Sequence, residues 1–376
     1  MRRLLIVLLL APVALAAQGR ARNAILFLAD AGGLSTIAAA SLHGYGAGRQ
    51  LFIQRMPHIG LSDTASASQI VTDSAAGMTA VVTGQRTHNG VIAQSATAVR
   101  KQVDGEPLKS ILEYAEERGL STGVITNDSL AGATPAATYA KANDRGMTAV
   151  IFQQVFTPRF GDGVDVMIGA GRAAITRALA EAGVDLEALS RERGRPMWST
   201  FADIPADATR AIVMLDSGEF DLETAVQRAI RLLSQNPRGY FLMVECDVHT
   251  DRIRRGLERL VTFDRLIQRT ARAVGDDTLL LFTADHSFDI RLRGGRLEQP
   301  LLEGLEQAEA ESPKGPIRIP AVRMDNGHTG EEVLVAAQGP GADKVRGFMA
   351  NTDIFNVMME AYGWPLPHPS AEQKTP

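Results

Sequence analysis

With a single cysteine, Cys246, this chain of 376 residues cannot close an internal disulfide, so no covalent cross-link supports the fold even in an oxidising compartment. It also lacks a basic surplus. Lys and Arg number 39 against 43 Asp and Glu, a formal net charge of −4, which argues against nucleic acid as a partner. A long hydrophobic span is missing too: the apolar run in "MRRLLIVLLLAPVALAAQGR" is short and is broken by Pro12, too little for a comfortable transmembrane helix. Two arginines, a short apolar run and then Ala14-Leu15-Ala16 have the layout of an export signal, predicted over residues 1–16 with cleavage near Ala16. An uncleaved anchor is the alternative. Losing Arg2 and Arg3 would take the net charge to −6, and no cysteine follows to carry a lipid. The expectation is a periplasmic or secreted protein that does not associate with membrane once the signal is removed.

What the chain does have is 45% hydrophobic residues, enough for a sizeable core. Apolar runs of strand length ("NAILFLAD", "LSTGVITND", "VDVMIGAG", "TRAIVMLD", "GYFLMVECDVH", "DTLLLFTADH") alternate with amphipathic stretches such as "LETAVQRAIRLLSQN". Strands apolar throughout and separated by helices predict an α/β fold with a mainly parallel central sheet and helices on both faces. No internal repeat is seen, and a single domain over 17–363 is expected. Two segments break the rhythm. Arg291 to Arg323, rich in Gly, Pro and charge, is long enough for an active-site loop or lid, and 364–376 reads as a disordered tail.

Ligands of parallel α/β sheets bind outside the carboxyl ends of the strands, so polar residues that end apolar runs are the ones to inspect. Asp30 ends the first run, Glu245, Asp247 and His249 end another, Asp285 and His286 a third, and His328 stands just before "VLVAA". Side chains on a strand alternate between faces, which puts Glu245, Asp247 and His249 on one face and Cys246 on the other. Three of the seven histidines fall in this collection; His43, His58, His88 and His368 have no comparable acidic company. Converging carboxylates repel, raising at least one pKa steeply unless cations are present. Carboxylates and imidazoles without thiolate suit catalytic zinc, with magnesium or manganese at an all-oxygen site. Singly, each acid also reads as a helix cap or solvated turn residue.

In "VTDSAAGMTA", Ser74 sits where an extended segment becomes a helix. That place suits a nucleophile close to free amides and a positive helix end, and equally an N-cap.

Taken together, Asp30, "TDSAA" at 72–76, "ATPAA" at 133–137, Glu245 to His249, "TADH" at 283–286 and "HTG" at 328–330 resemble the alkaline phosphatases, in that family's order and over most of the chain. The resemblance implies hydrolysis of phosphate monoesters through a phosphoserine at Ser74. It further implies two zinc ions and a magnesium. Asp30, Asp285 and His286 correspond to ligands of the zinc that also binds Ser74, and His328 to a ligand of the second zinc. Thr134 and Glu245, sharing Asp30, correspond to the magnesium site. Arg145, eleven residues after Thr134, takes the place of the phosphate clamp, with Asp73 orienting it; its alternative is a surface arginine paired to Asp144 or Glu113. A homodimer is the family default.

Two departures stand out. The family places its second-zinc Asp and His five and nine residues after the Glu, where this chain has Thr250 and Arg254. Alignment from "GLERLVTFD" instead brings the His onto His249, with Asp247 as the candidate Asp and Glu245 and Asp251 as other choices. At Gly132 many members carry an acidic or imidazole side chain that helps hold the magnesium shell. The rival readings are a phosphodiesterase or sulfatase of the same superfamily, and a phosphate-binding protein impaired in catalysis. No sulfatase maturation motif is found, and "TDSAA" favours the monoesterase.

Overall fold

The computed structural model describes residues 20–313 and 315–367. The expected signal over 1–16, His368 and the rest of the tail lie outside the described residues. A ten-stranded sheet organises the chain. Its strands are β1 (Asn23–Asp30), β2 (His58–Ser62), β3 (Ser121–Ser129), β4 (Val166–Ala170), β5 (Met197–Trp198), β6 (Ala211–Met214), β7 (Tyr240–Asp247), β8 (Thr278–Thr283), β12 (Val333–Gln338) and β13 (Gly347–Met349). Three further strands, β9 (Ser287–Leu292), β10 (Ile317–Arg318) and β11 (Val322–Thr329), form a separate antiparallel sheet.

The large sheet runs β13-β2-β12-β8-β1-β7-β3-β4-β6-β5. Every pairing is parallel except those of β12, which is antiparallel to both β2 and β8. The mainly parallel expectation holds, and its physical basis is visible in β1. Ala24, Leu26 and Leu28 enter the core on one face, while Ile25, Phe27 and Ala29 enter the core on the other. A strand buried on both sides has no polar alternation to show.

β1 lies centrally between β7 and β8, in parallel register, with Asp30 opposite Asp247. Three neighbouring strands that lead into acids therefore end side by side at the carboxyl end of the sheet, as the strand-end rule anticipates.

The segment Arg291 to Arg323 is more ordered than a loop. It takes in the end of β9, a helix at Leu305–Glu311, β10 and the start of β11. Its Gly, Pro and charged residues mark the turns of this small sheet. Residue 364, the first of the expected tail, is packed on the body of the protein. Trp364 stacks on Tyr362 at 4.1 Å between ring centroids and receives the Arg118 guanidinium at 4.6 Å, so the packed body extends past residue 363.

One buried ion pair supports the segment that carries both Thr134 and Arg145. Lys141 Nζ lies 2.8 Å from Glu113 Oε2, with both side chains almost wholly buried. Burial pushes the Glu113 carboxyl up and the Lys141 ammonium down, each charge being kept by the other. Lys141→Met is expected to cost roughly 3–5 kcal/mol in urea unfolding at neutral pH, because it leaves a buried carboxyl unpaired. An acid whose folded pKa is raised stabilises the fold fully only below its unfolded pKa. The deficit should therefore grow as pH rises above the ordinary Glu range and shrink in acid. A deficit independent of pH would refute the unpaired carboxyl as its cause.

Candidate active site

The helix Ser74–Thr83 begins one residue after its cap. Asp73 Oδ1 accepts from the Ala76 amide at 3.1 Å, so Asp73 is the N-cap and Ser74 is the first helical residue. The Ser74 hydroxyl is thereby released from capping, and its Oγ stands 3.2 Å from His286 Nε2. All ten residues of this helix are buried. Gly77 lets it approach the β8 end closely: a Cβ there would lie 2.6 Å from the Asp285 carbonyl oxygen. Alanine is the better helix former by about 1 kcal/mol, yet this contact with backbone has no room to yield. Gly77→Ala should shift Ser74 away from His286 and lower kcat by about 10²-fold, as misplacements of about 1 Å can. Steady-state turnover of an aryl phosphate checks this, and unchanged kcat would contradict it.

Around His286 the carboxylates are held one oxygen at a time. Asp285 Oδ1 accepts from the amides of Ala31 (3.3 Å) and His286 (3.0 Å), while its buried Oδ2 has no hydrogen-bond partner. Asp30 Oδ2 faces the Thr134 hydroxyl at 3.5 Å, and Oδ1 is likewise unpartnered. Those two free oxygens lie 3.5 and 3.4 Å from His286 Nε2. Glu245 Oε2 is a third buried oxygen without a partner. Burial, reinforced by the charge of Asp30, drives the Glu245 and Asp285 carboxyls well above the ordinary range. Ala31 sits at φ 68°, the left-handed region that costs a non-glycine residue about 1 kcal/mol or more. That turn directs its amide onto Asp285.

The imidazoles present their lone pairs inward. His286 Nδ1 meets the Ser287 carbonyl at 3.1 Å and His328 Nδ1 meets the Thr72 carbonyl at 3.2 Å. A carbonyl only accepts, so each Nδ1 bears the proton and each Nε2 is free to ligate. The two rings stack at 3.8 Å. Burial holds both below the usual histidine pKa, which keeps them neutral. His328 reaches this place through the pairing of β11 with β9, after an irregularity between Met324 and His328.

His249 completes the trio. Its Nε2 is 3.8 Å from Asp30 Oδ1 and its Nδ1 is 2.8 Å from Asp247 Oδ1. Burial alone would lower its pKa, but the Asp247 hydrogen bond and the charges of Asp30, Asp247 and Asp285 prevail and push it up to about 9.

Two groups of donors are compact enough to hold an ion among the described residues: Asp30, Asp285 and His286, and His249, His286 and His328. Unpartnered buried carboxylate oxygens beside the neutral imidazoles of His286 and His328 are the donor set a divalent cation requires, and a cation there would take the place of the proton that the surrounding carboxylates hold on His249. The residues present fit such ions.

Among the predicted site residues, Asp30, Ser74, Thr134, His249, Asp285, His286 and His328 come together. Glu245 joins them electrostatically, with Asp30 the charge that acts on it most strongly. Asp247 is held between His249 and Arg259, one carboxylate oxygen to each. Arg145 Nη1 donates to Asp73 Oδ2 at 3.0 Å, next to Ser74, while Asp144 pairs with Arg100 and Glu113 with Lys141. Asp251 is exposed in the short turn after β7. Of the other histidines, His43 faces Glu258 and His88 bonds Ser68 and the Ala96 carbonyl.

Two residues escaped the sequence reading. Arg259 lies on the helix Ile253–Ala273, twelve residues beyond Asp247, and nothing local ties the two. Asp128 near the end of β3 places Oδ2 3.5 Å from where a Gly132 Cβ would stand. A carboxylate thus lies beside the position whose side chain is missing. The acid after the apolar run "GVIT" was a signal available for it.

The Alkaline phosphatase family model matches residues 21–203 and 201–319. The chain belongs to the alkaline phosphatase family. That assignment makes it a phosphomonoester hydrolase of a metal-dependent family. Among curated relatives, the streptomycin-6-phosphate phosphatase of Streptomyces griseus is 29% identical, with 96% of this chain and 95% of that protein covered. The human tissue-nonspecific alkaline phosphatase is 24% identical, with 91% and 83% covered. The Thermus thermophilus alkaline phosphatase structure superposes with a TM-score of 0.77 at 23% identity, covering 93% of each chain. That of the Antarctic bacterium TAB5 gives 0.75 at 24% identity, covering 93% of this chain and all of that one. These structures show that this alkaline phosphatase chain has the α/β fold of its family.

Proposed function

We propose that the protein is an exported phosphomonoesterase in which Ser74 takes the phosphoryl group and water then releases it. The observation that carries this reading is Ser74 Oγ, uncapped at a helix N-terminus and 3.2 Å from His286 Nε2, beside buried carboxylate oxygens that have no partner. Zinc held by Asp30, Asp285 and His286, a second zinc held by His249 and His328, and magnesium near Asp30, Thr134 and Glu245 would supply Lewis acidity that makes the hydroxyl reactive and neutralises developing charge.

The chain's own groups do the rest. Ser74 is carried by a helix that Gly77 allows to pack closely on the Asp285 backbone, where an added Cβ would lie 2.6 Å from the carbonyl oxygen. In the reaction Ser74 Oγ bonds phosphorus while the bond to the substrate alcohol breaks, and water later cleaves the Oγ–P bond. Arg145 offers a planar fork to two phosphate oxygens, a shape lysine lacks. Asp73 aims that fork while capping the Ser74 helix, so one carboxylate sets both the nucleophile's helix and the clamp. The free amides at the helix start add further attraction for phosphate.

Phosphate monoesters are the proposed substrates, and a homodimer is the proposed assembly by family. Parallel assays with an aryl phosphate, a phosphodiester, a sulfate ester and streptomycin 6-phosphate test the reading. Turnover should be fastest with the monoesters. A preference for the diester or sulfate would replace this proposal with the sister activities, and phosphate binding without turnover would mark an impaired relative.

A further inference from the structure

A chain of charged hydrogen bonds leads away from the histidine trio to the protein surface. His249 Nδ1 meets Asp247 Oδ1 at 2.8 Å, and the other oxygen, Oδ2, accepts from Arg259 Nη1 at 2.7 Å. The same Nη1 donates to the Asp247 carbonyl at 3.1 Å. Arg259 Nη2 reaches Glu219 Oε1 at 2.7 Å, where Arg255 Nη2 also donates at 2.6 Å. Arg259 itself is largely buried, its side chain 13% exposed, so its guanidinium has been taken out of water for this arrangement. Both oxygens of Asp247 are engaged, in contrast to Asp30 and Asp285, each of which keeps one oxygen free.

We propose that Arg259 is a positioning residue, which locks Asp247 as the buttress of His249 so that Asp247 is not itself an ion ligand. The inference rests on the two-zinc reading above and concerns which residues hold the second ion. Arg259 Nη1 ties together the main chain and side chain at the end of β7 while Nη2 is held by Glu219, fixing the Asp247 carboxylate where it receives His249 Nδ1–H. That hydrogen bond sets the tautomer and turns Nε2 toward Asp30 and the other two imidazoles. A histidine ligand backed by a carboxylate is more basic and better oriented than one left free, and losing such support commonly weakens metal binding by about 10–100-fold. The family's spacing between its Asp and His is not kept here, and the engagement of both Asp247 oxygens by His249 and Arg259 shows the physical consequence. A carboxylate two residues from His249, gripped by Arg259, serves the imidazole.

The test uses the full chain, stripped of metal and titrated with zinc against a chromophoric chelator. His249→Ala is expected to lose one zinc outright. Arg259→Ala should weaken that same zinc by about 10–100-fold and leave the other unaffected. Arg259→Lys should recover part of the loss. Arg259→Ala should add little in an Asp247→Ala background, because the two residues act in series. With cobalt(II) in place of zinc, Asp247→Asn should leave the visible band positions unchanged, since the ligand set is unchanged. Wild-type affinity in Arg259→Ala would overturn the positioning role, and shifted cobalt bands in Asp247→Asn would make Asp247 a ligand after all. Full zinc content in His249→Ala would remove the two-zinc reading and this inference with it.

Discussion

Ser74→Ala is expected to eliminate the covalent phosphoenzyme and to lower kcat by about 10³-fold or more, while zinc content stays at the wild-type level. The size follows from what is lost: without Oγ there is no acceptor for phosphorus, and direct attack by water must use the remaining positioning and charge stabilisation, which sustain only a residual rate. The other part follows from geometry. Asp285 is anchored by the Ala31 and His286 amides, and His286 by the Ser287 carbonyl, none of them through Ser74. Removing one hydroxyl from a helix capped by Asp73 also leaves the helix start intact. Acid quenching after incubation with labelled phosphate, together with elemental analysis, separates the outcomes. Labelled protein recovered from the alanine variant would falsify Ser74 as the acceptor, and loss of zinc in parallel would mean that the substitution had damaged the metal site as well.

How much of this could be read beforehand depends on whether the relevant spacing is local. The carboxylate endings of β1, β7 and β8 were visible because parallel strands bury both faces and show polar residues only where they emerge. Ser74 was visible as a strand-to-helix junction, but whether it or Asp73 caps the helix is a matter of one hydrogen bond, and sequence offers both residue types. The antiparallel β12 and the small sheet of β9, β10 and β11 were not legible. They depend on pairings that bring Val333–Gln338 between β2 and β8, and His328 beside Phe288, across long stretches of chain. The strand-face rule grouped Glu245, Asp247 and His249 but could not say which way each would be pulled. His249 lies beyond the end of β7, and the tug on Asp247 comes from Arg259 on the following helix. Resemblance to a family supplied roles, and it was least informative where the chain departs from the family's spacing.

Removing bound metal should abolish activity, and zinc rather than magnesium alone should restore it. Asp30 is the reason the effect is expected to be complete. One of its oxygens lies among His286 and His249 and the other faces Thr134, so two of the three proposed ion positions draw on this single side chain and the third lies beside it. Without cations, Asp30, Asp285 and Glu245 remain a buried group of acids with one unpartnered oxygen apiece, a state that burial and mutual repulsion disfavour. Imidazole nitrogens at His286, His328 and His249 favour zinc over magnesium, whose preference is for oxygen ligands. Binding also feeds into stability: zinc at about 1,000 times its dissociation constant contributes roughly 4 kcal/mol per site, so the metal-free protein should melt several degrees lower. Dialysis against a chelator, elemental analysis, and activity and melting curves before and after adding zinc or magnesium check both statements together. Undiminished turnover in protein shown to hold no metal would remove the cations from the reaction, whereas inactivation with an unchanged melting curve would break the proposed coupling between the ions and the fold.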